Sequence, residues 1–161
     1  MLSTKKLLAA PLALGLALLM TACTPTGSAT QTGSATEPEE TDPLTGQWQI
    51  TSLEAGTEGD LEPVPYSGQI IFTEADTMAV QAMNPDTEAP DTPYTVNGYE
   101  AYYGNVAIDE ADGTFEVTIE SAAVRDLIGQ SLTRNFEVSD DALVLTPADP
   151  AEGWRVTYER S

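Results

Sequence analysis

The chain has 161 residues and a mass of 17.1 kDa, the length of a single domain. It carries 26 acidic residues against 6 basic ones and has no histidine. Both lysines, Lys5 and Lys6, stand in the first six residues and no acid precedes Glu37, so residues 23–161 set four arginines against all 26 acids, a formal charge of −22. That balance argues against nucleic-acid binding, which needs a basic footprint to displace phosphate counterions, and against electrostatic docking of the folded part on anionic lipid. The missing residue types remove further chemistry. Without histidine there is no Ser-His-Asp triad, no Cys-His pair and no imidazole zinc ligand. One cysteine allows no disulfide within the chain. Without lysine after residue 6, Schiff-base catalysis and P-loop phosphate binding disappear. Among 26 carboxylates a suggestive pair arises by chance, so no catalytic residue, no metal and no cofactor is expected.

Residues 1–22 read as a secretory signal: Lys5-Lys6, then the apolar run Leu7 to Met20. As a helix that run covers about 21 Å at about 1.5 Å per residue, short of a hydrocarbon core of about 30 Å. It ends in Met20-Thr21-Ala22-Cys23, which resembles the bacterial lipobox, with methionine where leucine is more usual. The resemblance implies lipid attachment at Cys23 and cleavage before it. Two acyl chains suffice for stable anchoring where one is marginal. The expected location is extracytoplasmic, on the outer face of the cell membrane, with the lipid as the only membrane contact. Residues 23–43 hold this cysteine and a linker containing the doubled segment Thr26-Gly27-Ser28-Ala29-Thr30 and Thr32-Gly33-Ser34-Ala35-Thr36, then Glu37-Pro38-Glu39-Glu40-Thr41-Asp42-Pro43. With no aromatic, Val, Ile or Leu it is expected to stay disordered, with an r.m.s. span of about 25 Å. Such a spacer looks like that of an actinobacterial lipoprotein.

The folded part is residues 44–161, which hold all eleven aromatic residues. Its pattern is strand-like almost throughout. Period-two runs lie at Gly46–Leu53, Gln69–Thr73, Thr77–Met83, Tyr99–Ile108, Thr114–Ser121, Leu132–Val138, Leu143–Leu145 and Trp154–Arg160. Pro63 and Pro65, Asn84-Pro85-Asp86, Asp112-Gly113, Asp140-Asp141 and Asp149-Pro150 mark the turns between them. A helical turn is expected within Ala122–Gly129. Eight short sequential strands with no covering helix predict an all-β fold, an eight-stranded antiparallel up-and-down barrel, since closure also removes exposed edges.

Alternation assigns inner faces: Trp48 and Ile50 in the first run, Phe115, Val117 and Ile119 in the fifth, Leu132, Arg134, Phe136 and Val138 in the sixth, Trp154, Val156, Tyr158 and Arg160 in the last. The run from Tyr99 is apolar on both faces and stays unassigned, with Gly104 a candidate bulge. Gly46-Gln47-Trp48 at the first strand and Tyr158-Glu159-Arg160 at the end resemble the lipocalin superfamily. The ordered set Leu44–Ile50, Ser67–Thr73, Met78–Met83, Tyr102-Tyr103-Gly104, Gly129-Gln130, Arg134-Asn135-Phe136 and Leu143-Val144-Leu145 resembles the bacterial lipocalin-like domain family. The resemblance implies a barrel closed at one end by Arg160 lying across Trp48. Members often carry a histidine near Val117-Thr118, absent here, so no function of that imidazole carries over.

The expected function is the binding of a small hydrophobic or amphiphilic molecule inside the barrel of a monomer, because eight strands leave an interior that is either filled or holds one ligand. The candidate lining residues are Met78, Val80, Tyr103, Ile119, Arg134 and Phe136. Arg134 has two readings: it pairs with an internal Asp or Glu, or it receives the carboxylate of an anionic ligand. One alternative is a filled barrel acting through surface loops, notably Asn84–Pro93. Another is a hydrolase or isomerase using carboxylates and Tyr103. Asp109–Gly113 fails the EF-hand spacing and reads as a hairpin turn.

Overall fold

The computed structural model describes residues 42–57 and 59–161; the signal segment, Cys23 and the linker as far as Thr41 lie outside the described residues. Ten strands follow in order: β1 (Gly46–Thr57), β2 (Asp60–Val64), β3 (Ser67–Thr73), β4 (Thr77–Met83), β5 (Thr95–Val96), β6 (Tyr99–Asp109), β7 (Thr114–Ala122), β8 (Ser131–Val138), β9 (Ala142–Pro147) and β10 (Trp154–Arg160). Eight of them, β1, β3, β4, β6, β7, β8, β9 and β10, each pair antiparallel with the next, and β10 returns to β1 with Trp48 opposite Arg160 and Leu53 opposite Val156. The sheet is therefore a closed eight-stranded up-and-down barrel, as the alternation predicts.

Two strands were not expected. β2 pairs with the far half of β1 and carries Pro63, opposite Glu54, rather than a turn there. It lies at the end of the strand order, where a proline costs no ladder hydrogen bond. β5 folds back on β6 through Asn97-Gly98, both at positive φ (52° and 73°). The expected helical turn narrows to one 3-10 turn, Arg125–Leu127. The backbone around it is spent on neighbouring strands instead: Ala123 N donates to Ala101 O at 2.8 Å and Gly129 N to Ile119 O at 2.8 Å.

Two register shifts aim the inner face. Thr51 is an extra residue between Ile50 and Ser52, so Leu53 and Ala55 rejoin Trp48 and Ile50 inside. The second falls between Tyr103 and Gly104, where β7 contributes the extra residue, Glu120. A Cβ at position 104 would lie 2.0 Å from Thr118 O, an approach that only glycine permits. Along β6, Glu100, Tyr102, Gly104 and Val106 then face inward, and Tyr103 faces out.

One end of the barrel is packed solid. Trp48, Leu44 and Leu143 are fully buried, and Trp48 Nε1 donates to Leu44 O at 2.8 Å. Phe72 meets Phe115 edge-on at 5.4 Å. The Arg160 guanidinium lies 4.0 Å from the Trp48 ring centre and donates to the carbonyls of Pro43 (2.9 Å), Thr45 (2.9 Å) and Asp140 (3.1 Å). A Cβ at Gly46 would come within 2.8 Å of Arg160, so the glycine of the Gly-x-Trp segment makes room for the arginine that covers the tryptophan.

Candidate functional site

The other end is hollow. A cavity of about 380 Å³ opens there, with apolar walls from Ile50, Leu53, Ile70, Val80, Leu145 and Val156. Ala55, Ala82 and Gly153 also line it, small residues that leave unfilled the volume occupied by Trp48, Phe72 and Met78 at the packed end. Asn84, Pro90, Thr92, Pro93 and Tyr94 form part of its rim, so the loop between β4 and β5 belongs to the cavity rather than to a separate surface. A volume of this size is inconsistent with the filled-barrel alternative and lies within the roughly 300–1,000 Å³ of small-molecule sites.

The polar lining has two parts. In the first, Arg134 projects inward from β8 and is 6 % exposed. It is 3.4 Å from Glu152 Oε1, donates to Thr133 O at 3.0 Å, and packs 5.0 Å from the Trp154 ring and 5.4 Å from the Tyr94 ring. Glu152 Oε2 accepts from the Tyr94 hydroxyl at 2.7 Å and from Trp154 Nε1 at 3.2 Å. Of the two readings of Arg134, the internal acid is thus the one the structure contains. Local sequence places each member. Asp149 caps the 3-10 turn Pro150–Glu152 by accepting from Ala151 N at 3.0 Å, with Pro150 at its first position, which sets Glu152 just ahead of β10. Asp91 accepts from Gly98 N (2.8 Å), Asn97 N (2.9 Å) and Thr95 Oγ1 (3.2 Å), fixing the segment that carries Tyr94. Those two backbone donors hold the Asp91 carboxyl below the usual carboxylate range.

The second part is Glu100, beside Tyr102 on β6, with Tyr66 and Tyr158 in the same lining. Glu100 lines the cavity, and burial pushes its carboxyl up to about 7, against a partial opposing pull from Arg134. Among the described residues its carboxyl has neither an ion-pair partner nor a hydrogen-bond partner within reach, and the hydroxyls of Tyr66, Tyr102 and Tyr158 make no protein hydrogen bond either. Burial raises all three phenols above their ordinary value, so they are protonated at neutral pH. The Tyr94 hydroxyl is raised as well, by burial and then by its bond to Glu152.

The six expected lining residues divide. Val80 and Arg134 lie on the cavity wall. Met78 and Ile119, each 1 % exposed, belong to the solid core, and Phe136, partly buried, packs against it with its ring centre 6.5 Å from that of Phe115. Tyr103 is 47 % exposed on the outer surface, because the parity of β6 turns Glu100 and Tyr102 inward in its place. That placement also removes Tyr103 from any chemistry inside the barrel. Glu100, Glu152 and Tyr94 are absent from the sequence reading. Two signals pointed toward them: Asn97-Gly98 marks a two-residue hairpin, and Glu100 shares the inner parity of Tyr102, Gly104 and Val106.

No family model matches this sequence, and no curated protein does either. Solved structures with similar architecture include a lipocalin-like protein from Bacteroides uniformis (16% identity, TM-score 0.48, 74% of this chain and 100% of that one). An uncharacterized protein from Bacteroides eggerthii matches at 17% identity and TM-score 0.46, over 73% of this chain and 99% of that one. A redesigned β-barrel matches at 17% identity and TM-score 0.45, over 74% and 92%.

Proposed function

We propose that this is a binding protein that takes one small apolar or amphiphilic molecule into the open end of its barrel. Its place is the outer face of the cell membrane, where lipid on Cys23 tethers it through the linker. The observation that carries the ligand reading is the cavity of about 380 Å³ with its apolar walls. At about 30 Å³ per heavy atom, the share of one water, that volume suits a ligand of up to about thirteen heavy atoms. Burying its apolar part would contribute about 25 cal/mol per Å². The anchoring reading rests on the residues Met20-Thr21-Ala22-Cys23 alone.

Native mass spectrometry of protein isolated from its own cells tests the first reading. One small molecule per chain is expected, and Ala82→Leu, which fills part of the cavity, should release it. A chain that carries nothing and takes up no eight-carbon amphiphile would sink the reading. For the anchor, Cys23→Ser should leave the precursor uncleaved and unacylated. A variant that still fractionates as mature membrane protein would refute it.

A further inference from the structure

We infer that the cavity selects ligands with a cationic amine head, received by Glu100 among the tyrosines of the lining. This inference rests on the binding-protein reading above and names the ligand class for that same cavity. Two charged groups in the lining, Arg134 and Glu152, are already matched to each other, and Arg134 also packs on the Tyr94 and Trp154 rings. An incoming carboxylate would have to compete with Glu152 for the guanidinium. Glu100 is in the opposite position. It faces the same cavity with no ion pair and no hydrogen bond from the described residues, and feels Arg134 only as a partial pull from beyond contact distance.

A desolvated carboxyl of this kind is stabilised by whatever supplies the missing opposite charge. An ammonium group does so at the cost of one proton released from the acid. The ligand's own ammonium keeps its proton, and the cavity ends with Arg134, Glu152, Glu100 and the ligand as two matched pairs. The rings of Tyr66, Tyr102 and Tyr158 border the same space, and aromatic faces attract a cation. Their hydroxyls offer acceptor lone pairs to the remaining N–H donors. At the scale of the whole chain, a formal charge of −22 over residues 23–161 draws cations to the mouth and repels carboxylates.

The test compares three eight-carbon probes of one shape: octylamine, 1-octanol and octanoate. Titration calorimetry uses the full mature chain from residue 23 with Cys23→Ser, so that no detergent competes. Octylamine is expected to bind about tenfold or more tighter than 1-octanol, with octanoate the weakest. Glu100→Gln should erase the advantage of the amine and leave the alcohol unchanged. The groups facing Glu100 are Tyr66, Tyr94, Tyr102 and Tyr158, all protonated at neutral pH, and the Arg134–Glu152 pair. Glu100 is thus the cavity group that ionises near pH 7, and octylamine affinity in the unsubstituted site should fall about tenfold per pH unit below about 7. That arm holds even if Glu100→Gln fails to fold. Equal affinity for amine and alcohol, or tightest binding of octanoate, overturns the inference and leaves the binding reading standing. Binding of no probe overturns both.

Discussion

Arg134 is where alternation along a strand places it: Leu132, Phe136 and Val138 face inward, and a residue between them at the same parity must follow. Its charge is tolerable inside because Glu152 and two aromatic rings meet it there. Breaking a fully buried pair costs about 3–5 kcal/mol. Glu152 keeps 28% of its side-chain surface exposed and retains Tyr94 and Trp154 as donors, so Arg134→Met should cost less, about 1–3 kcal/mol in urea unfolding. Unchanged stability would mean that the pair contributes nothing and that Arg134 stands ready for an anionic ligand. Glu100 supplies a pH signature of the opposite kind. Its carboxyl rises from 4.5 to about 7 on folding, so between those values the folded state holds a proton that the unfolded state has lost. The resulting destabilisation is absent below about pH 4.5, grows as pH rises and is complete above about 7, at about 3 kcal/mol. Glu100→Gln should therefore unfold at higher urea than the parent at pH 8, with the difference mostly gone at pH 5. A difference that does not change with pH would show that Glu100 titrates normally.

At the scale of elements, the two register shifts do work that period-two alternation cannot. The extra Thr51 in β1 brings Leu53 and Ala55 inside, and the extra Glu120 in β7 lets Gly104 of β6 approach Thr118 closely. Strands with a clean polar face, β7, β8 and β10, were legible residue by residue. β6 was not, because Tyr102 and Tyr103 are equally suited to either side, and neighbouring strands chose between them. β2 and β5 leave no period-two signal for different reasons: Pro63 interrupts the first as a turn residue would, and the second is two residues long. The packed end depends on Trp48, covered by Arg160 and bonded to Leu44 O. Trp48→Ala should cost about 3–5 kcal/mol, the range for truncating a buried aromatic. A variant as stable as the parent would place the tryptophan outside the barrel core.

For the whole molecule, closure and charge are coupled. A closed sheet leaves few backbone groups free to template association, and most of the 26 acids stand between the strands or before residue 43, with others, such as Glu116, Glu137 and Glu159, on outward strand faces. Self-repulsion of that surface should weaken folding most at low ionic strength, where its range is longest. The melting temperature should rise as sodium chloride is raised from about 0.01 M to 1 M, over which the screening length shrinks from about 30 Å to about 3 Å. A fall over that range would mean that attractive pairs outweigh repulsion.

Local alternation determined the class of fold, the inner faces of most strands and the inward aim of Arg134, since period two is a property of neighbouring residues; the meeting of Arg160 with Trp48 was implied by the family resemblance. Whether the interior is filled is not a local property. It depends on side-chain volumes summed over eight strands and on which of them meet at one level, so the cavity beside Ala55, Ala82 and Gly153 emerged only with the register. The same holds for charge. Arg134 and Glu152 are 18 residues apart and join through the β8–β9 pairing and the turn before β10, while Glu100 reaches the same space from β6 and finds no ion-pair or hydrogen-bond partner among the described residues. Tertiary structure alone decided which of 26 acids neutralises the buried arginine and which is left facing the cavity, because a carboxylate's partner is set by distance in space rather than along the chain.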